Sequence, residues 1–281
     1  MSLHGFPARL SADGLSLRPL LESDLPEIMR QLSDDGIAPW LAAVTRPFGP
    51  AQARELLEHS REPGEHLRVI ETDGALSGCI CLGTGLWYWL DTGFRGKGLM
   101  SAALRLALSR WFARPAPPLV ATCRTDNDAS RALLRRLGFA RYPGTRRMFF
   151  QAAGGSRTCH DYLVTPEQWH MLNPPRLALG ALCLRPARQK DAPGLARMLP
   201  GRGTAWPGSD DLPGFIETHR FRGAATGLFV IEDGMRRTIG MVLFRETGPP
   251  ALRYLCAAEA TRHGAGLEAA LAAGLPALLA S

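Results

Sequence analysis

Two glycines flank a lysine at Gly96-Lys97-Gly98, and their place in the chain suits the binding of an anion. An aromatic stretch typical of a β-strand, Trp87-Tyr88-Trp89-Leu90, precedes them, and an apolar helical pattern begins directly after them at Leu99. Glycine lets the backbone approach a ligand closely, and the first amides of a helix are free hydrogen-bond donors. With the positive end of the helix dipole and the charges of Arg95 and Lys97, this junction predicts a seat for a phosphate group. A Gly-x-Gly turn taken alone favours the simpler interpretation, an ordinary connection between a strand and a helix.

A second polar group, Asp126-Asn127-Asp128-Ala129-Ser130, stands at the start of another predicted helix. Asn127 or Asp128 can cap this helix, which carries an apolar stripe of leucines and stops at Gly138. The Ser130 hydroxyl has two interpretations: it satisfies backbone amides at the helix start, or it contacts a bound reactant. Both remain open at this point.

Two carboxylates are candidates for a general base, because each follows a predicted strand. Asp91 ends the aromatic strand and Glu71 ends an earlier one. Each also suits a simpler role, as a turn-forming or solvated carboxylate. Among the aromatic residues, Trp40, Trp87 and Tyr88 are expected in the core or in the wall of a cleft, where an aromatic ring can hold an amine.

The chain of 281 residues is long enough for two domains, and with 46% hydrophobic residues it can bury a core. Its net charge of +7 is almost entirely arginine, since Lys97 and Lys190 are the only lysines. The arginines are scattered without interleaved aromatic residues, which argues against nucleic acid as a partner and favours an anionic cofactor or an acidic partner. Neither a signal peptide nor an apolar run of membrane-spanning length is evident, so we expect a cytoplasmic protein that does not cross a membrane.

Metal binding is not expected from the sequence. The seven histidines are dispersed, and no cysteine belongs to a C-x-x-C pair. The cysteines are interpreted as free, mostly buried thiols in a reducing compartment. They are Cys79, Cys81, Cys123, Cys159, Cys183 and Cys256.

The elements that must position these residues alternate between strands and helices, with a hairpin turn at Asp73-Gly74. Ser23 is expected to cap the first helix, and residues 151–158 are expected to form a mobile hairpin tip. The predicted strands are 15–20, 67–71, 75–82, 87–90, 119–123, 139–142 and 160–164, and the predicted helices begin near residues 24, 50, 99, 128 and 166.

After Asn173-Pro174-Pro175, which is the predicted domain boundary, the order of motifs starts again. The sequence therefore predicts a first domain at residues 1–172 and a second, truncated copy at 173–281 with no counterpart of residues 119–172. The matching segments are 182–186 with 15–19, Arg185 and Asp191 with Arg18 and Asp24, Trp206 with Trp40, 229–232 with 68–71, and 262–267 with 95–99.

Residues 15–172 resemble the GNAT superfamily of acetyl-CoA-dependent N-acetyltransferases, and most closely its RimJ/RimL branch. Three segments carry the resemblance: Leu17-Arg18-Pro19, Tyr88-Trp89-Leu90 followed by Phe94-Arg95-Gly96-Lys97-Gly98, and Asp126-Asn127-Asp128-Ala129-Ser130 closed by Leu137-Gly138-Phe139. The resemblance implies an α/β (α+β) GNAT fold, with a mixed central sheet flanked by helices and a partial GNAT-like repeat after it. A splayed gap is expected between the strands that end near Leu90 and Cys123.

The resemblance also implies a cofactor, acetyl-CoA, and a site for it. Pantetheine would pair with backbone near Trp89 and Leu90, the pyrophosphate would lie on the loop from Arg95 through Gly96, Lys97, Gly98 and Leu99 to Met100, and Asn127 and Ser130 would face the thioester. The expected reaction is direct attack of a primary amine, from a protein N-terminus or a small molecule, on the acetyl carbonyl.

The residues that would carry the catalysis differ from the superfamily pattern. Leu134 stands where many members have a tyrosine acid, so Ser130 is the nearest hydroxyl that can replace it, with Asn127 beside it and Asp91 as a candidate base. A non-catalytic acyl-CoA-binding module is therefore the main alternative, and association with RNA is a third. The second copy is expected to shape the acceptor cleft or to mediate a homodimer.

Overall fold

The computed structural model describes residues 6–12, 14–113, 116–174, 176–199, 211–221, 226–245 and 251–256. The chain divides into two compact units, one of residues 1–111 with 116–165 and one of residues 112–115 with 166–281. The boundary predicted between residues 172 and 173 stays a prediction. Among the described helices, none combines the length and the apolar character that crossing a bilayer requires.

The first unit begins with an antiparallel sheet whose five strands pair in chain order. The hairpin between its third and fourth strands turns at Asp73 and Gly74, whose φ angles of 50° and 77° fit a two-residue turn, as predicted. The strands are β1 (Leu10–Ala12), β2 (Leu15–Arg18), β3 (His66–Thr72), β4 (Ala75–Leu82) and β5 (Leu86–Leu90).

Four helices longer than one turn belong to the described part of this unit. They are α1 (Leu25–Leu32), α2 (Pro50–His59), α3 (Leu99–Trp111) and α4 (Asp128–Arg136). Apolar side chains of α1 and α2, such as Ile28 and Leu57, bury against Leu67, Cys79 and Trp89 of the sheet. The core therefore fixes β5 against the helices that precede it in the chain.

The predicted cap at Ser23 is wrong. Residues Glu22–Asp24 form a 3-10 helix, and Asp24 occupies the N-cap position of α1. The reason is electrostatic: the Asp24 carboxylate accepts hydrogen bonds from Arg18 and from the Leu21 amide, so it holds the chain in a tight turn.

A second sheet of the first unit is built around one long strand. This strand, β9 (Gly155–Val164), pairs with β6 (Leu119–Arg124), β7 (Ala140–Arg141) and β8 (Arg146–Phe150), each time antiparallel. The predicted hairpin tip at 151–158 is too long, because residues 155–158 pair with 147–150 in β8 and only 151–154 form the turn. The two arginines at the start of β8 obscure its strand character in the sequence.

The second unit contains another antiparallel sheet of five strands in chain order. Its strands are β10 (Leu177–Leu179), β11 (Leu182–Pro186), β12 (Thr226–Glu232), β13 (Thr238–Arg245) and β14 (Ala251–Cys256), and its helices are α5 (Pro166–Leu172), α6 (Ala192–Ala196) and α7 (Leu212–Thr218).

The sheets of the two units share details beyond strand order. Each has a register irregularity at the same place, between Ile70 and Glu71 in β3 and between Ile231 and Glu232 in β12. The predicted second glycine turn, at residues 262–267, and Trp206 lie outside the described residues.

Each unit also contains one arginine paired with two carboxylates at matching positions. Arg185 donates to Asp191 and Glu232, both at 2.8 Å, as Arg18 donates to Asp24 and Glu71. These features agree with the sequence match between the two segments.

Candidate functional site

The glycine turn joins β5 to α3 through a 3-10 helix at Thr92–Phe94. Gly96 and Gly98 have φ angles of 75° and 76°, which L-residues with a side chain rarely adopt. Among the described residues, the backbone amides of 96–101 have no hydrogen-bond acceptor, and Ala102 is the first to donate, to Gly98. The turn therefore presents a row of free donors at the positive end of a helix of 13 residues.

Two exposed cations border this row of amides. Arg95 donates to the carbonyls of Leu90 at 3.2 Å and Gly36 at 2.9 Å, and Lys97 donates to that of Gly93 at 3.2 Å. Within the described part of the chain, neither has a carboxylate partner. Their positive charge is thus not neutralised locally and is available to an anion.

The last two residues of the predicted pyrophosphate loop begin helix α3. Leu99 is half-buried and Met100 is buried. Their side chains anchor the helix start, so only their backbone amides are available to an anion.

Strands β5 and β6 belong to different sheets, which leaves between them the gap that the predicted fold requires. Leu90 and Trp89 face Gly78 and Cys79 of β4, and no hydrogen bond joins β5 to β6 in the described sheets. The strands are close at their beginnings, since a Cβ placed on Gly85 would lie 3.5 Å from the Val120 carbonyl oxygen. One edge of β5 is consequently open to a ligand.

Hydrogen bonding and ring stacking hold the side chain of Trp89 in place on β5. Its indole N–H donates to the Gln31 side chain at 2.9 Å, and Gln31 in turn donates to the Leu76 carbonyl at 2.9 Å. The Trp89 ring stacks on that of Trp87, with centroids 6.0 Å apart. These contacts fix the strand whose backbone borders the gap.

Tyr88 points from the other face of β5 toward the start of α4. Its phenol oxygen lies 2.8 Å from the Ser130 hydroxyl oxygen, and either oxygen can be the donor. Burial raises the pKa of Tyr88, and the hydrogen bond with Ser130 only partly opposes that shift. Burial also raises the pKa of Cys123, which the Ser130 hydroxyl likewise opposes. A neutral phenol, a neutral thiol and a hydroxyl therefore meet at this point.

Asn127 positions this serine. Its side-chain oxygen accepts a hydrogen bond from the Ser130 amide at 3.1 Å, which makes Asn127 the N-cap of α4. The structure thus brings together Asn127, Ser130 and Tyr88. The sequence analysis placed Tyr88 only in the core or a cleft wall, because its hydroxyl partner is 42 positions away.

The two candidate bases lie in ion pairs. The Asp91 carboxylate is buried and accepts a hydrogen bond from Arg30 at 2.6 Å. A hydrogen bond from Arg18 lowers the pKa of Glu71, which also faces Arg9. Each carboxylate is already engaged by an arginine, and the role of either as a base remains a prediction.

At the end of β6, the guanidinium group of Arg124 packs against two aromatic rings. The Arg124 guanidinium carbon is 4.2 Å from the centre of the Trp40 ring and 5.4 Å from that of Phe150. Arg124 also donates to the Pro39 carbonyl and pairs with Asp126. Trp40, which remains 38% exposed, thereby forms a rigid wall beside the start of α4.

The family model described as the acetyltransferase (GNAT) domain matches residues 15–140. These residues, a little less than half of the chain, match the GNAT acetyltransferase domain. The GNAT domain thus contains the glycine turn, the open edge of β5 and the Tyr88–Ser130 pair. No functionally curated protein matches the sequence.

Two solved structures share this fold. The chain is 24% identical to a protein designated an acetyltransferase and to another from T. thermophilus, each with a TM-score of 0.52. The matches cover 60% of this chain and 92% and 95% of those chains. RimL, the ribosomal L7/L12 α-N-protein acetyltransferase, in complex with coenzyme A, is 23% identical, with a TM-score of 0.48 over 56% of this chain and 96% of its own.

Proposed function

We propose that the GNAT domain transfers an acetyl group from acetyl-CoA to a primary amine within a ternary complex. The observation that carries the proposal is that three features adjoin β5: the free amides of residues 96–101 that follow it, its own open edge, and the hydroxyl of Ser130 bonded to its Tyr88.

The residues present fit the two polar parts of coenzyme A. The free amides of the turn, with Arg95 and Lys97, suit the pyrophosphate, because they are uncompensated donors and charges. The open edge of β5 suits the pantetheine amides, which can pair with backbone at Trp89 and Leu90. Since Arg95 already donates to the Leu90 carbonyl, its side chain has to turn toward the phosphates when that carbonyl is used.

The chemistry follows from the polar groups at the gap. Bound acetyl-CoA supplies the thioester, whose C–S bond breaks as the amine nitrogen forms a bond to the carbonyl carbon. Ser130 donates its hydroxyl proton to the departing sulfur while hydrogen-bonded to Tyr88, and it takes a proton back from solvent after the thiol leaves. Asp91 accepts the amine proton through water, which requires that Arg30 loosen its contact. Asn127 keeps the start of α4 in place.

The acceptor is a primary amine of a protein N-terminus or of a small molecule. The Trp40 ring is exposed beside the start of α4 and can stack against the acceptor, since an aromatic face attracts an ammonium group before it loses its proton. We place the reaction in the cytoplasm, where the unbridged thiols of the described cysteines remain reduced.

For the second unit we propose a degenerate half-GNAT domain. The support is the common strand order, the matching register irregularity and the repeated arginine triad. Its proposed roles are to shape the acceptor cleft or to form a homodimer, and analytical ultracentrifugation of the whole chain distinguishes them, because only the second gives a dimer.

A non-catalytic acyl-CoA-binding module is the second candidate. It is favoured by Leu134 at the usual tyrosine position and by the ion pairs of Asp91 and Glu71. Release of free coenzyme A in the presence of a panel of peptides and small amines decides between them. Amine-dependent release that falls in the Ser130→Ala variant supports the enzyme, whereas tight binding of acetyl-CoA without any turnover supports the module.

A further inference from the structure

Three potential metal ligands converge at one end of the first sheet, away from the acetyl-transfer gap. His59 is the last residue of α2, Glu65 precedes β3, and Cys81 lies in β4. The Glu65 Oε2 atom is 3.3 Å from the Cys81 sulfur and 3.8 Å from the His59 Nε2 atom. All three donor atoms lie within 4.8 Å of one another.

We propose that His59, Glu65 and Cys81 bind a divalent transition-metal ion of the zinc class, with the fourth coordination position open. Ligand atoms at about 2.0–2.3 Å from a zinc ion stand about 3.3–3.8 Å apart in a tetrahedron. Two of the three separations already fall in that range. A thiolate, an imidazole and a carboxylate also favour zinc over magnesium or calcium, which prefer oxygen ligands alone.

The histidine is held in the orientation that metal binding needs. Its Nδ1 atom lies 3.0 Å from the Glu62 carboxylate, and its Nε2 atom faces the Glu65 carboxylate at 3.8 Å. The ring also stacks on Trp87 at 6.4 Å. A carboxylate on the far nitrogen of a ligating histidine is common in metal sites, where it fixes the ring and raises its basicity.

The other two ligands are buried and placed by backbone contacts. The Glu65 side chain is 6% exposed, and its Oε1 accepts a hydrogen bond from the Thr84 amide at 3.0 Å. Its Oε2 is thereby left for Cys81 and the ion. A Cβ on Gly83 would come within 2.3 Å of that oxygen, so a glycine there leaves room for the carboxylate.

The charges balance when an ion is bound. The Cys81 thiol donates to Glu65 in the structure, and the ion would take the place of that proton, which leaves to solvent. A divalent ion with one thiolate and one carboxylate has no net charge, which lowers the cost of burial. Half-exposed His59 gives the ion an entry path from solvent.

The site is distinct from the acetyl-transfer gap. Trp87 and Trp89 lie on one face of β5 and Tyr88 on the other, since side chains alternate along a strand. We therefore expect the ion to tie the end of α2 to the sheet and to stabilise the first unit, without contacting the reacting groups.

Cobalt(II) is the probe that tests the site. After chelator treatment, the full-length protein is titrated with cobalt(II) chloride, and a sulfur-to-cobalt charge-transfer band at a 1:1 ratio is expected. The band should disappear in Cys81→Ala and persist in Cys79→Ala, an equally buried cysteine two positions away on the same strand. Absence of the band in the wild type, or an equal band in Cys81→Ala, overturns the proposal.

If Cys81→Ala does not fold, variants of His59 and of its partner Glu62 test the site instead. His59→Gln, at the half-exposed helix end, should weaken cobalt(II) binding at least about tenfold, and Glu62→Gln should weaken it about 10–100-fold by releasing the ring. Zinc should raise the Tm of the wild type and leave that of His59→Gln unchanged. Equal zinc-induced Tm shifts in both proteins contradict the assignment.

Discussion

The phenol oxygen of Tyr88 and the hydroxyl oxygen of Ser130 are 2.8 Å apart, although the two residues come from a strand and a helix 42 positions apart. Their hydrogen bond spans the side of the gap where β5 and β6 are not paired. Since Leu134 supplies no hydroxyl at the position of the usual tyrosine acid, this pair is the source of a proton for the departing sulfur in the proposed reaction.

Removing the serine hydroxyl should therefore affect catalysis more than binding. General acid catalysis contributes about 10²–10⁴-fold, so we expect Ser130→Ala to lower kcat about 100-fold with little change in the Kd of acetyl-CoA. Tyr88→Phe, which retains the ring, should lower kcat about tenfold. Steady-state kinetics with a competent amine measure both, and Ser60→Ala, at the end of α2, is the control. An unchanged kcat in Ser130→Ala would remove Ser130 from the mechanism.

The glycine turn should be sensitive to a single methyl group. Gly98→Ala places a side chain at φ +76°, which costs about 1–2 kcal/mol, or shifts the amides away from the anion. We expect the Kd of acetyl-CoA, measured by calorimetry, to rise about tenfold while the KM of the amine stays the same. Gly93→Ala is the matched control, because it has no atom within 4 Å of the new Cβ and no positive φ. Equal effects of the two variants would argue against the phosphate seat.

The arginine of the second unit should be essential for the stability of that unit. Arg185, Asp191 and Glu232 have side chains 6–8% exposed, so Arg185→Met leaves two buried carboxylates without a counterion. Breaking a buried ion pair in this way costs about 3–5 kcal/mol. Hydrogen exchange of the β12 amides reports the free energy of opening. Arg197→Met, a more exposed control in the same unit, should change it by about 0.5 kcal/mol or less.

The same triad gives the second unit a defined response to acid. Burial favours the neutral form of Asp191, but hydrogen bonds from Arg185 and the Arg188 amide outweigh it and lower the pKa of this carboxyl. A carboxyl whose pKa is lower in the folded state stabilises the fold above its unfolded value, about 3.9, and this contribution disappears as the pH falls through the folded value. The protection of the β12 amides against hydrogen exchange should thus decrease as the pH is lowered below about 4. Asp191→Asn should flatten that dependence, and a dependence of wild-type steepness in this variant would contradict the assignment.

Local chemistry explains which parts of the fold are predictable from the sequence. The β3–β4 hairpin is predictable because Asp73-Gly74 adopts the positive φ angles of a tight turn. The turn at Gly96 and Gly98 is predictable for the same reason. Strand β8 is not, because its arginines conceal the alternation that identifies a half-buried strand.

Sequence periodicity does not predict contacts between elements that are far apart in the chain. The Tyr88–Ser130 hydrogen bond depends on how β5 lies beside the start of α4, and the His59–Glu65–Cys81 cluster depends on how α2 ends over the sheet. No short motif joins these residues, so their spacing follows no recognised metal or catalytic pattern. The Arg18–Asp24 pair is different, because a separation of six positions was visible twice in the chain.

The open edge of β5 links the proposed ligand to the lifetime of the protein. A chain that carries amide groups and lies against this edge would act as a temporary strand, and its binding energy would add to the free energy of unfolding as RT ln(1 + [L]/Kd). At a ligand concentration of 100 times Kd this amounts to about 2.7 kcal/mol. This free energy lowers the unfolded population about 100-fold, and proteolysis of the transiently unfolded chain would slow by the same factor. The abundance of the protein in a cell would then follow the supply of its acyl donor.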